Sequence, residues 1–324
     1  MGVNASVLAV DAGNSKTDVA LIGQDGSVLS TARGGGFQPP AVGVEAAVDV
    51  LAAAVGQALA LAGQHVDGVD HVSACLANAD LPVEEAELTE ALLRRGWGRT
   101  VEVRNDTFAI LRAGVDEPRG VAVVCGAGIN CVGMRPDGRT ARFPAIGRIS
   151  GDWGGGSGLA EEALWYAARA EDGRGEPTEL MRTLPGHFGL GSMYELIEAL
   201  HRGRITHGER HALTPVLFAT SAAGDPVASA LVDRLADEVV AMASVALGRL
   251  GLLDEEAPVL LGGSVLAARH ARLDGRIAAL LAERAPKAVI RVVAQPPVLG
   301  AGLLGLDHLG ASPEVRDRLH AHYA

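Results

Sequence analysis

The hydrophobic pattern opens with two apolar runs that flank a short polar turn. Val7, Leu8 and Val10 form a β-branched run that stops at Asp11, and an alternating run resumes from Thr17 to Ile22. Such runs around Gly, Asn and Ser residues predict a β-hairpin with a polar loop. The same order returns at 121–135, where a glycine turn separates two apolar runs. We therefore predict two similar hairpins.

Apolar residues at helical spacing alternate with short strands along the rest of the chain. Predicted strands cover 28–32, 69–76, 101–103, 259–261 and 288–293, and predicted helices cover about 44–62, 84–95, 108–113, 159–170, 193–202, 213–222, 227–250 and 308–324. Strands interspersed with helices are typical of α/β proteins. We predict mixed sheets flanked by helices.

Two aspartates follow predicted strands. Asp11 ends the first strand, where a carboxylate can hold a hydrated Mg²⁺ while loop amides and the Ser15 or Thr17 hydroxyl face phosphate oxygens. Lys16, one of two lysines in the chain, favours that interpretation over an ordinary polar turn. Asp106 lies between a strand and a helix, at the sheet edge where α/β proteins bind ligands. A plain helix N-cap is the alternative for Asp106.

Glycine-rich segments mark three further places where backbone can approach a ligand. Gly126-Ala127-Gly128 is followed by a strand, so it is not the dinucleotide fingerprint, which opens a helix. Residues 151–158 contain five glycines. Such a segment is either a flexible linker or a place of close ligand approach. Gly262 and Gly263 come directly after a predicted strand.

Composition narrows the class of protein. A chain of 324 residues suggests about two domains. The net charge of −11 argues against nucleic acid and anionic membranes as partners. The three cysteines, Cys75, Cys125 and Cys131, have no metal-binding spacing, so we expect buried free thiols. The start of the chain lacks a cationic region and no apolar run reaches about 18 residues, so we expect a cytoplasmic protein.

Five ordered motifs carry a family resemblance: Leu8–Ile22, Asn105–Leu111, Val123–Met134, Gly147–Gly158 and Pro258–Val265. Together they resemble the sugar-kinase, Hsp70 and actin superfamily, and within it the N-acetylglucosamine kinases and BadF/BadG/BcrA/BcrD-type ATPases. The resemblance implies two ribonuclease-H-like domains, at 1–113 and 114–307, with ATP in the cleft between them. The helix at 308–324 is expected to pack back on the first domain.

The resemblance also implies a role for individual residues. Asp11 corresponds to the Mg²⁺ ligand, acting through water, and Asp106 to the catalytic carboxylate. The ATP-binding residues it implies are Gly13, Asn14, Ser15, Lys16, Thr17, Gly126, Ala127, Gly128, Gly262 and Gly263. The sugar-binding residues are Gln38, Asn78, Asn105, Asp106, Asn130 and Asp152.

The implied reaction is transfer of the γ-phosphoryl group of MgATP to an amino sugar, with N-acetylglucosamine and its 6-hydroxyl as the leading acceptor. Two departures from the family bear on the acceptor: Trp153 follows Asp152 where those kinases commonly have Glu, and Gln38 stands where Asn is expected. Glucosamine, N-acetylmuramate and glucose are therefore alternatives. So are an ATPase that activates a dehydratase and a nucleotide-dependent regulator. We also expect no nucleic-acid or membrane partner, and a homodimer is plausible.

Overall fold

The computed structural model describes residues 5–63 and 68–324. Its first sheet has five strands in the order β3-β2-β1-β4-β5. Strand β1 pairs antiparallel with β2 and parallel with β4, so the sheet is mixed. The strands are β1 (Ala5–Ala12), β2 (Thr17–Gly23), β3 (Val28–Gly34), β4 (Val69–Leu76) and β5 (Gly98–Asn105). The predicted first hairpin is thus β1 and β2.

The second sheet also has five strands, in the order β10-β9-β6-β7-β8. Strands β9 and β10 are parallel, whereas β7 and β8 are antiparallel. The strands are β6 (Gly120–Cys125), β7 (Ile129–Met134), β8 (Thr140–Arg142), β9 (Ala257–Gly262) and β10 (Ala288–Val292). The glycine turn at 126–128 joins β6 to β7, as the second hairpin was predicted to do. The predicted fold class, two mixed sheets flanked by helices, is confirmed.

Thirteen α-helices and two short 3₁₀ helices complete the described chain. The helices are α1 (Pro39–Val42), α2 (Val44–Leu61), α3 (Pro82–Arg94), α4 (Thr107–Ala113), α5 (Gly155–Glu171), α6 (Leu180–His187), α7 (Met193–His201), α8 (Leu213–Ala222), α9 (Pro226–Leu250), α10 (Gly263–Ala267), α11 (Ala271–Arg284), α12 (Pro297–His308) and α13 (Pro313–His322), and the 3₁₀ helices are Gly147–Ser150 and Gly208–Ala212. The predicted terminal helix at 308–324 is wrong in its bounds, because α12 ends at His308 and Pro313 opens α13.

The chain forms two compact units. The first contains Met1–Ala122, Val132–Pro144 and Val293–Ala324, and the second contains Val123–Cys131 and Ala145–Val292. Residues 293–307, which the sequence led us to expect in the second domain, therefore group with the first unit. Three glycines of α12 permit this, since a Cβ on Gly300 would lie 1.8 Å from the carbonyl oxygen of Ala109 on α4.

Helix α2 packs on β2 and β3 and fills much of the core of the first unit. Its buried side chains include Val48, Leu51 and Val55, which join Leu8 and Leu21 of the sheet in one apolar cluster. By length and composition alone, α2 would also pass as a membrane span. Because α2 packs against β2 and β3, we interpret it as a core helix of the first unit.

Helix α9 is the longest helix and organises the second unit. Thirteen of its 25 residues are buried, among them Leu235, Val239 and Leu247. It packs against α5, α8 and α11. Most of its apolar side chains are buried within the second unit, whereas Val245 is exposed.

Candidate functional site

The first part of the site is a group of carboxylates at the carboxyl ends of β1 and β5. Asp11 pairs with Cys75 of β4 and with Asp18 of β2 in the sheet register, and its side chain is 9% exposed. Burial, and then the charges of Asp106 and Asp18, raise the pKa of Asp11 to about 7. A divalent cation would relieve this concentration of negative charge, so the donor set fits Mg²⁺.

Asp106 is the N-cap residue of α4, directly after β5, but its side chain makes no capping hydrogen bond. Burial raises the pKa of its carboxyl group to about 6. The neighbouring Asn105 supplies a side-chain oxygen that accepts a hydrogen bond from the Thr107 amide at 2.9 Å. The N-cap alternative considered for Asp106 thus describes its position and not the role of its carboxylate. A carboxylate with a pKa near 6 is poised to accept a proton at neutral pH.

A network of amide side chains fixes the loop between β1 and β2. Gln38 Nε2 donates to the Asn14 carbonyl oxygen at 2.7 Å, and Asn78 Nδ2 donates to Asn14 Oδ1 at 2.9 Å. Asn78 has a φ of 62°, in the left-handed region that Asn tolerates well. Gly36 must be glycine, because a Cβ there would lie 2.1 Å from the Asn14 carbonyl oxygen. The loop that carries Gln38 is thus built against the loop that carries Asn14.

Other predicted residues of the first unit have structural partners of their own. Asn105 Nδ2 donates to Asp80 Oδ1 at 2.7 Å. Thr17 is fully buried and donates to the Gly35 carbonyl oxygen, while exposed Lys16 forms an ion pair with Asp18 at 2.8 Å. Gly13 donates its amide to the Lys16 carbonyl oxygen and closes the turn that contains Asn14 and Ser15.

In the second unit, the loop Gly126-Ala127-Gly128 is held by the first turn of α5. The amides of Gly156 and Ser157 donate to the carbonyl oxygens of Gly126 and Ala127, at 2.7 and 3.0 Å. Gly155 has a φ of +73°, and a Cβ there would lie 2.5 Å from the Ala127 carbonyl oxygen. The segment 151–158 was expected to be a flexible linker or a place of close ligand approach. Its second half is the start of α5, packed on the loop, so it is not a linker; the ligand-approach alternative stays a prediction.

Gly262 ends β9 and Gly263 begins α10. Gly263 has a φ of +81°, and a Cβ there would lie 2.4 Å from the Cys125 carbonyl oxygen. This glycine is thus required by the close packing of the β9–α10 turn on β6. Beside it, Ser264 and Val265 line a cavity of about 320 Å³ together with Gly126, Ala127 and Gly156.

Aromatic rings form one wall of that cavity. Phe218 of α8 and His270 stack with ring centroids 3.9 Å apart and an interplanar angle of 8°. His211 also lines the cavity, and its Nδ1 lies 3.2 Å from Ser157 Oγ. Sequence reasoning missed these residues because α8 has an ordinary apolar helix pattern and the histidines occur in no motif. A cavity with a stacked ring and glycine backbone suits a flat heterocycle.

A second cavity of about 330 Å³ in this unit is lined by Gly128, Asp152, Trp153 and Arg148, among others. Asp152 Oδ2 accepts hydrogen bonds from the Gly147 amide at 3.0 Å and from Ser150 Oγ at 2.5 Å, so it stabilises its own turn. Trp153 is covered by the Arg234 guanidinium, 4.2 Å from its ring centroid. Asn130, on β7, accepts a hydrogen bond from the Cys131 amide at 2.7 Å.

Comparison with known proteins identifies the fold and the family of this chain. The solved structure of a candidate N-acetylglucosamine kinase from Chromobacterium violaceum aligns with a TM-score of 0.69 at 22% identity, covering 93% of this chain and 99% of that one. The fold is that of the sugar kinases with actin-like ATPase domains. The BadF/BadG/BcrA/BcrD ATPase family model matches residues 8–305, and the chain belongs to that family.

Two relatives of known designation are similar over most of their length. An N-acetylmuramic acid/N-acetylglucosamine kinase of Clostridium acetobutylicum is 26% identical over 260 residues, which is 80% of this chain and 85% of the relative. An N-acetyl-D-glucosamine kinase of Dictyostelium discoideum is 23% identical over 316 residues, or 93% and 97%. The family predicted from the five motifs is therefore confirmed.

Proposed function

We propose that this protein is an ATP-dependent kinase that phosphorylates an amino sugar, with N-acetylglucosamine and its 6-hydroxyl as the leading acceptor. Its family is an ATPase family, and both relatives described above are designated amino-sugar kinases. The observation that carries the proposal is Asp106, a carboxyl group with a pKa of about 6 at the carboxyl end of β5. Phosphoryl transfer to a hydroxyl needs such a base in the acceptor site.

In the first unit, Asp106 accepts the proton of the attacking sugar hydroxyl. Asp11 would hold Mg²⁺ through water, and the ion would supply positive charge to the phosphate oxygens. The loop amides of 13–17 face the phosphates. We assign the amide side chains of Gln38 and Asn78 to the sugar, and the buried Asn105 to holding Asp80 and the first turn of α4 beside it.

In the second unit, we assign adenine to the cavity walled by Phe218 and His270, and phosphate to the loop 126–128. Gly262 and Gly263 contribute to adenine binding indirectly, because they form the turn that places Ser264 and Val265 in the cavity lining. Asn130 and Asp152 are assigned to the sugar. The hydrogen bonds of Asp152 to its own turn make it a residue that holds the sugar-facing loop in shape.

A coupled ADP-release assay over a panel of hexoses and amino sugars tests the proposal. We expect ATP turnover that requires both Mg²⁺ and a sugar, with the highest kcat/KM for N-acetylglucosamine, and with glucosamine, N-acetylmuramate and glucose as comparisons. ATP hydrolysis at the full rate without any sugar would contradict the kinase assignment and favour an activator or regulator.

Two further expectations accompany the proposal. We propose a cytoplasmic location without nucleic-acid or membrane partners, in keeping with the net charge of −11. The homodimer stays a prediction, which light scattering of the purified chain at several concentrations tests directly.

A further inference from the structure

Three metal-ligating side chains that the proposed reaction does not use come together in the first unit. His71 on β4, Glu102 on β5 and His308 at the end of α12 each offer a ligand atom, and these atoms lie within 4.8 Å of one another. His71 is four residues before Cys75, the register partner of Asp11. At about 3.3 Å per residue, the group is roughly 13 Å along the strand from Asp11, at the amino end of β4.

The hydrogen bonds of His71 are compatible with a lone pair on Nε2. Thr100 Oγ1 lies 3.1 Å from the Asp70 carbonyl oxygen and 2.9 Å from His71 Nδ1. When the hydroxyl proton goes to the carbonyl oxygen, Nδ1 donates to Thr100 and Nε2 keeps its lone pair. His71 is fully buried, and its Nε2 has no hydrogen-bond partner. A buried acceptor without a partner is costly, and a bound ion would satisfy it.

The same arrangement is the one that metal-binding histidines adopt. A ligating imidazole usually donates its second ring nitrogen to an oxygen, which fixes the ring and the tautomer. Thr100 supplies that oxygen here.

The other two groups complete a donor set of two imidazoles and one carboxylate. Arg104 Nη2 holds Glu102 by one oxygen, Oε1, at 2.7 Å. The exposed His308 ring stacks on His71 with centroids 3.9 Å apart, so the proposed site requires His308 to rotate out of this stack and bring a ring nitrogen to the ion. Nitrogen-rich sets of this kind select Zn²⁺ and its neighbours over Mg²⁺ and Ca²⁺, which prefer oxygen.

Access to the group is provided by a cavity of about 220 Å³ that Glu102 and His308 line. Three protein ligands leave one position of a tetrahedral ion for water. We propose that His71, Glu102 and His308 bind one Zn²⁺ ion, which ties the last turn of α12 to β4 and β5, separately from the Mg²⁺ site of the kinase reaction.

Zinc titration of the full-length, tag-free chain tests this site. The protein is stripped with EDTA, dialysed without nucleotide, and titrated calorimetrically with ZnCl₂; Co²⁺ then reports the coordination geometry through its visible absorption. We expect one ion per chain and a Tm that rises by several degrees with zinc. His308→Gln and Glu102→Gln should each weaken binding by at least ~100-fold, and Thr100→Val by ~10–100-fold, since even outer partners contribute that much.

His201→Gln is the matched control, because His201 is also exposed and ends a helix, α7. Its zinc affinity should equal that of the unsubstituted chain. The site is refuted if His308→Gln and Glu102→Gln, folded as judged by their melting curves in EDTA, bind zinc as tightly as the unsubstituted chain. Absence of stoichiometric zinc binding to the unsubstituted chain also refutes it. Neither result bears on sugar phosphorylation, which the Mg²⁺-dependent assay measures.

Discussion

Replacement of Asp11 by Asn should stabilise the ligand-free protein, by an amount that grows with pH. Asp11 has an ordinary pKa of 3.8 when unfolded and a pKa of about 7 in the fold. Its ionisation therefore opposes folding, with no penalty below pH 3.8 and the full penalty above about pH 7. Asn keeps the size of the side chain and removes the charge. The residue proposed to anchor Mg²⁺ is thus expected to destabilise the protein when the ion is absent.

The magnitude follows from the two pKa values. Each pKa unit corresponds to about 1.4 kcal/mol, so the full penalty is about 4 kcal/mol above pH 7 and about 1.5 kcal/mol at pH 5. The advantage of Asp11→Asn should therefore increase by roughly 2–3 kcal/mol between pH 5 and pH 8. For a unit of this size, that corresponds to a difference of roughly 5–10 °C in Tm.

Calorimetric melting of both proteins at pH 5, 6, 7 and 8, without Mg²⁺ or nucleotide, measures this effect. Asp18→Asn is the control with the opposite sign. Burial alone would raise the pKa of Asp18, but hydrogen bonds from Arg33 and Lys16 outweigh it and hold that pKa below its usual value. Loss of these two ion pairs in Asp18→Asn should therefore destabilise the protein at pH 8, offset in part because removal of the neighbouring charge lowers the pKa of Asp11. If Asp11→Asn stabilises the protein equally at pH 5 and pH 8, or destabilises it at pH 8, ionisation of Asp11 does not oppose folding.

Three further substitutions, with Gly158→Ala as a control for one of them, test the proposed site and the packing of the 126–128 loop. Asp106→Asn should lower kcat by at least ~100-fold and leave the affinity for MgATP nearly unchanged, because a general base contributes about 10²–10⁴-fold; retention of full turnover would remove Asp106 from the mechanism. His270→Ala should raise the KM for ATP by ~2–10-fold through loss of the stacked ring, with an unchanged KM for the sugar; a change confined to the sugar KM would contradict the adenine assignment. Gly155→Ala should destabilise the protein by about 1–3 kcal/mol, since its Cβ would meet the 126–128 loop at 2.5 Å. Gly158→Ala, in the same helix with nothing within 4 Å of its Cβ, should be neutral or slightly stabilising in the same denaturation assay.

The two hairpins could be predicted because their signals are local. An apolar strand, a polar or glycine turn and a second strand define β1–β2 and β6–β7 without any tertiary information. The position of Asp106 was also predictable, since it follows a strand and precedes a helix. Asp106 is the N-cap residue, yet Asn105 supplies the side-chain hydrogen bond to the Thr107 amide, and the sequence alone does not predict which of the two side chains makes that bond.

The wrong predictions concern segments whose structure depends on contacts with residues far away in the sequence. The glycines of 151–158 indicated freedom of movement, but Gly155 is required by its contact with the 126–128 loop, and the helix therefore starts four residues earlier than predicted. The glycines of α12 serve packing on α4 and the first sheet, which places that helix in the first unit. Phe218 and His270 are 52 positions apart in sequence, so only the folded chain reveals their stack.

The identity of the phosphorylated product shows whether this protein is an amino-sugar kinase. The protein is incubated with ATP, Mg²⁺ and N-acetylglucosamine, and the mixture is analysed by ³¹P nuclear magnetic resonance, with Asp106→Asn in parallel. We expect one phosphate monoester coupled to the protons of carbon 6, formed in equal amount to ADP, and none with Asp106→Asn. Release of inorganic phosphate without any sugar phosphate would contradict this expectation.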